Sequence, residues 1–416
     1  MDATPLSPED RAILALENDT VAGHTCKLVL VGQDEFDVAA LRASVAARMP
    51  AAPQLTRRLR DDPDAPAWVP DGDFDIARHV VDVPADRPLD QAGLRAEVAR
   101  LFAERLDRSR PLWRIDAAPL EGGGGAIIWR LHHALADGTT AMRFGDAVLW
   151  DPLVQPRPTS APTRAAHAAD DERRRAHLLG FVRREFATTL HGSPFDGRIG
   201  TRRAVALARV PLHELHDAAK AICGATLNDG VLCVVAGALR RWIQLHHGHL
   251  GTTRIKVPVS LHHEGDDAGN RDSYFCVGVP LGESDSAARL RAVQAATAVR
   301  KADHDAETMD ELLRGLSRIS PSLERFCAQL ELSPRQFAVT VSNVVGPRAP
   351  VAVLGAPVEE LYSIAEIRER HALRVGVVSL CDSLYFGFCA DPAIVDDVQS
   401  LADAVEAEAE ALLAAA

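Results

Sequence analysis

The chain has 416 residues, 47% hydrophobic and 25% charged, which excludes a disordered chain, a collagen and a disulfide scaffold and leaves room for roughly two to three domains. A balance of 46 Lys and Arg against 58 Asp and Glu gives a net charge of -12, so no nucleic-acid partner is expected. The seven cysteines are scattered and form no CxxC pair, which argues against a zinc ribbon and predicts reduced thiols in a cytoplasmic protein.

Residues 1–17 carry acids among their apolar residues and do not read as a signal peptide, and no run of 18 apolar residues occurs. Ser7-Pro8-Glu9-Asp10 announces a first helix, with a cap, a proline at the first turn and acids at the positive end. A strand is predicted over 27–31 and amphipathic helices over 38–49 and 94–102, flanking a proline-bearing stretch, 61–88, expected as surface loop. Gly122 to Gly125 make a turn before a buried strand over 126–131, and a helix is predicted over 139–149.

Between 151 and 203 prolines and a charge run suggest a crossover linker, so the chain divides into an N-terminal part (1–150), the linker (151–203) and a C-terminal part (204–416). Residues 157–184 hold seven arginines against three acids, either a solvated linker or a surface attractive to phosphates or anionic lipid. The C-terminal part predicts helices over 212–222 and 227–242, strands over 255–260 and 274–281, helices to about 316, strands over 337–342, 373–380 and 384–388, and a terminal helix over 395–412. Helices and strands mix without strict alternation, so the fold class is α+β with mixed sheets.

The densest chemical candidate is His132-His133-Ala134-Leu135-Ala136-Asp137-Gly138, where a strand ends and a helix begins. A histidine there can act as general base near neutral pH, Asp137 can fix the loop, and Gly138 permits close backbone approach. By pattern alone, two structural histidines and a turn fit equally well. His246-His247-x-His249 and His262-His263 lack a cysteine or carboxylate at ligand spacing, so no metal is expected.

The segment His132-His133-x-x-x-Asp137-Gly138 resembles the HHxxxDG signature of the bacterial wax ester synthase/diacylglycerol acyltransferase family, relatives of chloramphenicol acetyltransferase and of peptide-synthetase condensation domains. Other family-like segments follow the same order: Asp73-Phe74-Asp75 with His79-Val80, Pro111-Leu112-Trp113, Asn228-Asp229-Gly230-Val231-Leu232, Gly269-Asn270-Arg271, Ser342-Asn343-Val344-Val345-Gly346-Pro347 and Phe386-Gly387-Phe388. The resemblance implies two chloramphenicol acetyltransferase-like subdomains with mixed β-sheets and a cleft or tunnel between them. It implies His133 as general base, His132 as its support and Asp137 in a salt bridge to an arginine, with Gly138 completing the motif.

Asn228, Asp229, Asn270, Ser342 and Asn343 are candidate substrate-binding residues by the same resemblance, although Thr226 and Asp229 also fit a helix-capping pair. Pro111-Leu112-Trp113 reads as a packing corner. The donor implied is acyl-CoA, a co-substrate rather than a cofactor, and the acceptor a fatty alcohol or diacylglycerol. The alternative is a smaller acceptor with an acyl carrier protein as donor, and peripheral contact with a membrane or lipid droplet is open.

Departures from the family pattern are Gly230 after Asn-Asp, Val345 in place of a common proline, Asp196 in place of an asparagine, and a stretch from 356 to 374 without the expected glycine-rich segment. Each is expected to bear on substrate fit.

Overall fold

The computed structural model describes residues 3–32, 35–62, 65–84, 87–151, 180–181, 185, 192–248, 250, 253–260, 272–305, 308–309 and 333–416. Two six-stranded mixed sheets organise these residues, with a small third sheet beside them. The first sheet runs β12-β13-β2-β7-β6-β5, where β2 is His24–Val31, β5 Val80–Asp82, β6 Trp113–Pro119, β7 Gly125–His132, β12 Ala352–Val353 and β13 Ala356–Ala365. The second runs β10-β9-β11-β14-β15-β8, where β8 is Ala204–Pro211, β9 Thr253–Ser260, β10 Asp272–Val279, β11 Val339–Val344, β14 Leu373–Leu380 and β15 Ser383–Ala390. The small sheet joins β1 (Thr4–Pro5), β3 (Arg57–Arg60) and β4 (Ala67–Pro70).

Helices cover the sheets: α1 (Pro8–Ala15), α2 (Val38–Arg48), α3 (Gln91–Ala103) and α4 (Gly138–Phe144) in the N-terminal part, and α5 (Leu212–Cys223), α6 (Leu227–His247), α7 (Ser286–Ala302) and α8 (Val398–Leu413) in the C-terminal part. The apolar positions read as helix stripes are the ones buried: Leu41 and Val45 on α2, Leu94, Val98 and Phe102 on α3, Leu401, Val405 and Leu412 on α8. Side-chain caps start these helices, Ser7 for α1, Asp37 for α2 and Asp90 for α3. Among the described residues no single helix is long and apolar enough to cross a membrane.

The second sheet is built entirely from residues 204–390, and the first mostly from residues 24–132. β12 and β13 come from the C-terminal stretch yet complete the first sheet, β13 pairing antiparallel with β2 from Val358 opposite Val31 to Ala365 opposite Thr25. The stretch 61–88, expected as loop, contributes β4 and β5 and buries Trp68, His79 and Val80. The linker arginines 157, 164, 173–175, 183 and 184, and the residues of the expected helix beyond 309, lie outside the described residues.

Where β13 crosses β14 and β15, glycines let the two sheets touch. A Cβ on Gly376 would clash with the carbonyl oxygen of Ser363, and one on Gly387 would lie 2.5 Å from it. Alternation along the strands then fixes two faces. Val378 of β14 and Tyr385 and Cys389 of β15 join the core of the first sheet, whereas Val375, Val377, Leu384, Phe386 and Phe388 join the second. Arg374 and Gly376 share the face of Val378, so they point into the seam between the halves.

Candidate active site

The His-rich loop grows out of β7, whose last residue, His132, pairs with His24 of β2. The loop stays attached to that strand because the His133 amide donates to the Gly23 carbonyl at 2.9 Å. His132 is buried, and its Nδ1 accepts the Ala134 amide at 3.1 Å, which places the ring proton on Nε2. That edge lies over Gly23: a Cβ there would be 2.6 Å from Nε2, and the φ of +73° suits glycine as well. Burial first, then the charges of His133 and Arg108, push the His132 pKa down to about 3, so this ring is a neutral support for the turn.

His133 is half-buried at the seam. Burial and the guanidiniums of Arg374 and Arg368 hold its pKa below the ordinary histidine range, with Asp137 pulling the other way. The imidazole is therefore neutral at pH 7 and able to accept a proton. Asp137 caps α4, its carboxylate accepting the Thr140 amide at 2.6 Å. The charges of Asp137 and Arg374 both reach the buried Lys27 of β2. Arg374 is the cation of the C-terminal part whose field bears on His133 and Lys27 alike, and its Nη1 donates to the Glu366 carbonyl at 3.1 Å.

Gly138 brings the loop against the other half. A Cβ there would be 2.6 Å from Val344 Cγ2 at the end of β11. Ser342, two residues earlier, pairs with Gly376 and so shares its face, turning its hydroxyl to the seam. Asn343 points the other way and meets the start of α6, its amide donating to Asn228 Oδ1 at 3.4 Å. The structure thus brings Ser342 to the His-rich loop's side of β11 and pairs Asn228 with Asn343 on the opposite side. Asn270 lies outside the described residues.

Asp229, expected among the substrate-binding residues, is instead consumed by the fold. Its carboxylate accepts the Thr226 amide and hydroxyl at 2.9 and 2.7 Å in a capping box, the Thr297 hydroxyl at 2.6 Å and the Lys301 amine at 3.1 Å. Gly230 likewise faces α5 rather than substrate, a Cβ there meeting Leu215 at 3.4 Å and Ala219 at 3.6 Å. Asp196 is explained by a bidentate pair with Arg370 at 2.9 and 2.8 Å, which pins the 368–371 turn beside the site.

Two other motif segments form one packing unit. His79 lies between Phe74 and Trp113, with ring centroids 5.1 and 4.6 Å apart, and donates through Nδ1 to the Trp113 carbonyl at 2.8 Å. Trp113 in turn donates through its indole to Leu55 O at 2.7 Å. The histidines near the end of α6 are packing residues too, His246 stacking on Trp242 at 4.3 Å. His249, His262 and His263 lie outside the described residues, and among those described no cluster of three His, Cys, Asp or Glu is placed to hold a metal ion.

Sequence reasoning missed Lys27, Gly23, Ser363, Arg368 and Arg374. A lysine inside the otherwise mostly apolar run Cys26-Lys27-Leu28-Val29-Leu30-Val31 was the available signal; the arginines gave none, because their place beside His133 comes from strand pairing far along the chain.

Comparison with known proteins bears on the fold and the family. A relative from Mycobacterium tuberculosis named a probable diacylglycerol O-acyltransferase is 29% identical over 403 residues, 89% of this chain and 87% of its own. A second from the same organism, also named a diacylglycerol O-acyltransferase, is 28% identical over 461 residues and spans 99% of this chain and 97% of its own. Among solved structures, the wax ester synthase/diacylglycerol acyltransferase from Marinobacter aquaeolei superposes with a TM-score of 0.70 at 22% identity over 98% of both chains. The first condensation domain of the calcium-dependent antibiotic synthetase superposes with a TM-score of 0.63 at 16% identity, over 99% of this chain and 96% of that one. Both share the two-part fold. The profile of the wax ester synthase/diacylglycerol acyltransferase catalytic domain matches residues 6–186 and that of its C-terminal domain residues 268–412, so the chain belongs to this family.

Proposed function

We propose that this acyltransferase moves a fatty acyl group from acyl-CoA to the hydroxyl of a fatty alcohol or diacylglycerol, giving wax ester or triacylglycerol, with His133 as general base. The observation that carries the reading is the place of His133, on the loop that follows β7 and at the seam where Gly138 meets Val344 of the other half, with burial and two guanidiniums keeping its imidazole neutral. A neutral imidazole takes the proton of the acceptor hydroxyl as its oxygen attacks the thioester carbonyl. The tetrahedral intermediate then expels the thiolate, which leaves as CoA with the proton returned by His133. Arg374 and Arg368 supply positive potential where negative charge develops on the carbonyl oxygen. His132 holds the turn, Asp137 anchors the loop to α4, and Ser342 lies on the face of β11 that meets the loop, its hydroxyl donating to the Val375 carbonyl at 3.5 Å.

The names of the relatives favour an alcohol or diacylglycerol over the smaller acceptor with a carrier-protein donor. Acyl-CoA is consumed in each turnover, so it is a substrate and the base supplies the rest of the chemistry. The apolar acceptors favour reaction at a membrane or lipid-droplet surface, with the protein held there peripherally. The test is product analysis by mass spectrometry with acyl-CoAs of several lengths and a panel of fatty alcohols, diacylglycerol and small alcohols, beside His133→Ala. Ester formed by the wild type and lost in the variant supports the reading; ester formed equally by both removes His133 from it, and no ester with any acyl-CoA removes the donor.

A further inference from the structure

We propose that the buried ion pair of Arg203 and Glu366 positions His133: it clamps residues 20–23, and the last carbonyl of that segment holds the His133 amide. The proposal rests on the acyl-transfer reading for its activity readout, while its second readout stands without it.

Arg203 comes just before β8 and Glu366 just after β13, with side chains 1% and 6% exposed. Arg203 Nε donates to Glu366 Oε1 at 2.8 Å, Nη1 to the Gly200 and Arg202 carbonyls at 2.8 and 2.9 Å, and Nη2 to the Thr20 carbonyl. One guanidinium thus joins the last residues of the linker, the end of β13 and the segment that leads into β2. Burial pushes the Glu366 carboxyl up to about 7, against the pull of Arg203 and of the Ala22 amide, which donates to it. Val21 and Ala22 are buried, and Gly23 follows them, its carbonyl accepting the His133 amide at 2.9 Å. The path from the ion pair to the base is therefore the backbone of residues 20–23, with a hydrogen bond at each end.

Glu366 also reaches His133 from another side. Its own carbonyl accepts Arg374 Nη1 at 3.1 Å, and Arg374 is a guanidinium whose charge bears on the imidazole. The backbone of the base and a cation beside it are both fastened to one residue.

For stability alone the pair is a poor choice. Glu366 Oε2 is buried without a hydrogen-bond partner among the described residues, which costs free energy. Apolar side chains of similar volume often replace such a pair with no loss of stability. They cannot hold the Thr20 carbonyl, so stability and positioning come apart on substitution.

The experiment compares wild type, Glu366→Gln, Arg203→Lys and the double variant Arg203→Met with Glu366→Met at pH 8, above the carboxyl pKa. It reads kcat, KM for both substrates, thermal midpoint, and amide hydrogen exchange peptide by peptide. The double variant is expected to lower kcat about tenfold or more, with both KM values within about threefold and a midpoint close to that of the wild type. Its exchange should rise over residues 18–24 and 131–137 and stay at the wild-type level in α6 and β15. Glu366→Gln keeps an acceptor for Arg203 and should recover most of the kcat that the double variant loses. Arg203→Lys offers one nitrogen where three were used and should fall between the two.

Wild-type kcat in the double variant would overturn the proposal, as would unchanged exchange over 131–137. A rise in exchange spread through α6 and β15, with no recovery of kcat in Glu366→Gln, marks a pair that only holds the fold together and overturns it as well. A wild type that makes no ester defeats the acyl-transfer reading, and exchange over 131–137 then still decides whether the pair holds the loop.

Discussion

Gly138 and Val344 touch across the seam: a Cβ on the glycine would lie 2.6 Å from Val344 Cγ2. The glycine of the His-rich loop thus sets how closely the N-terminal half approaches β11 of the C-terminal half. Gly138→Ala is expected to cost about 1–3 kcal/mol through overpacking and to lower kcat by shifting the loop that carries His133. Val344→Ala in the same chain should return much of both, because it removes the colliding methyl. Denaturant melts and turnover of the two single variants and the double variant measure the coupling; additive effects would show that the contact does not matter.

Asp229 should behave as a structural residue. Burial alone would raise its pKa, but hydrogen bonds from Thr297 and Thr226 and the charge of Lys301 hold it below the usual aspartate range. The folded pKa lies under the unfolded one, so the stabilisation is fully present above about pH 4 and is lost as pH falls through the folded value. Asp229→Ala is expected to cost about 1–3 kcal/mol at pH 7, with the gap to wild type closing in acid, and to leave KM for both substrates within about twofold. Urea melts at several pH values, with KM measured on the folded variant, check both halves of the expectation.

Much of this was readable from the chain, and the failures have physical causes. β7, β14 and β15 were legible because their side chains are apolar on both faces, as strands buried on both sides must be. β6 was not, since its Asp116 looks like a loop residue until Arg130 and Arg114, each 2.8 Å away, neutralise it. β13 escaped because a register shift between Val358 and Glu360 breaks its alternation. The missing glycine-rich segment has a counterpart elsewhere: Gly376 and Gly387 lie on the strands that β13 crosses, and they provide the clearance. His132, His133, Asp137 and Gly138 were found because they are contiguous, whereas Arg368 and Arg374 come to bear on His133 only through tertiary pairing.

The stack of Phe74, His79 and Trp113 makes a third expectation concrete. His79→Ala removes a buried ring and its hydrogen bond to the Trp113 carbonyl, and should cost about 2–4 kcal/mol. Burial lowers the His79 pKa, so the unfolded state takes up a proton first, and stability falls as pH drops from about 6.5 towards the folded value. His79→Ala should flatten that slope while leaving kcat per folded molecule unchanged. Thermal melts between pH 5 and 8, paired with active-site-normalised turnover, separate the two effects; a loss of kcat would place His79 in the chemistry.

His133 itself carries the last expectation, because its environment predicts the shape of the pH profile. A half-buried imidazole beside two guanidiniums is protonated only well below its ordinary range, so kcat/KM should stay nearly level from pH 8 to 6 and fall only well below pH 6. His133→Ala should lower kcat by about 10² to 10⁴, the range for loss of a general base, with little change in thermal midpoint. Arg368→Gln removes one of the two positive charges from a turn already held by Arg370 and Asp196, so the fold should persist. With less repulsion the imidazolium forms more easily, and the acid limb should move to higher pH. Raising the ionic strength should shift the wild-type limb the same way, because salt screens the half-exposed Arg368. A limb that stays put in Arg368→Gln would show that this guanidinium does not tune the base, leaving burial and Arg374 to hold His133 neutral.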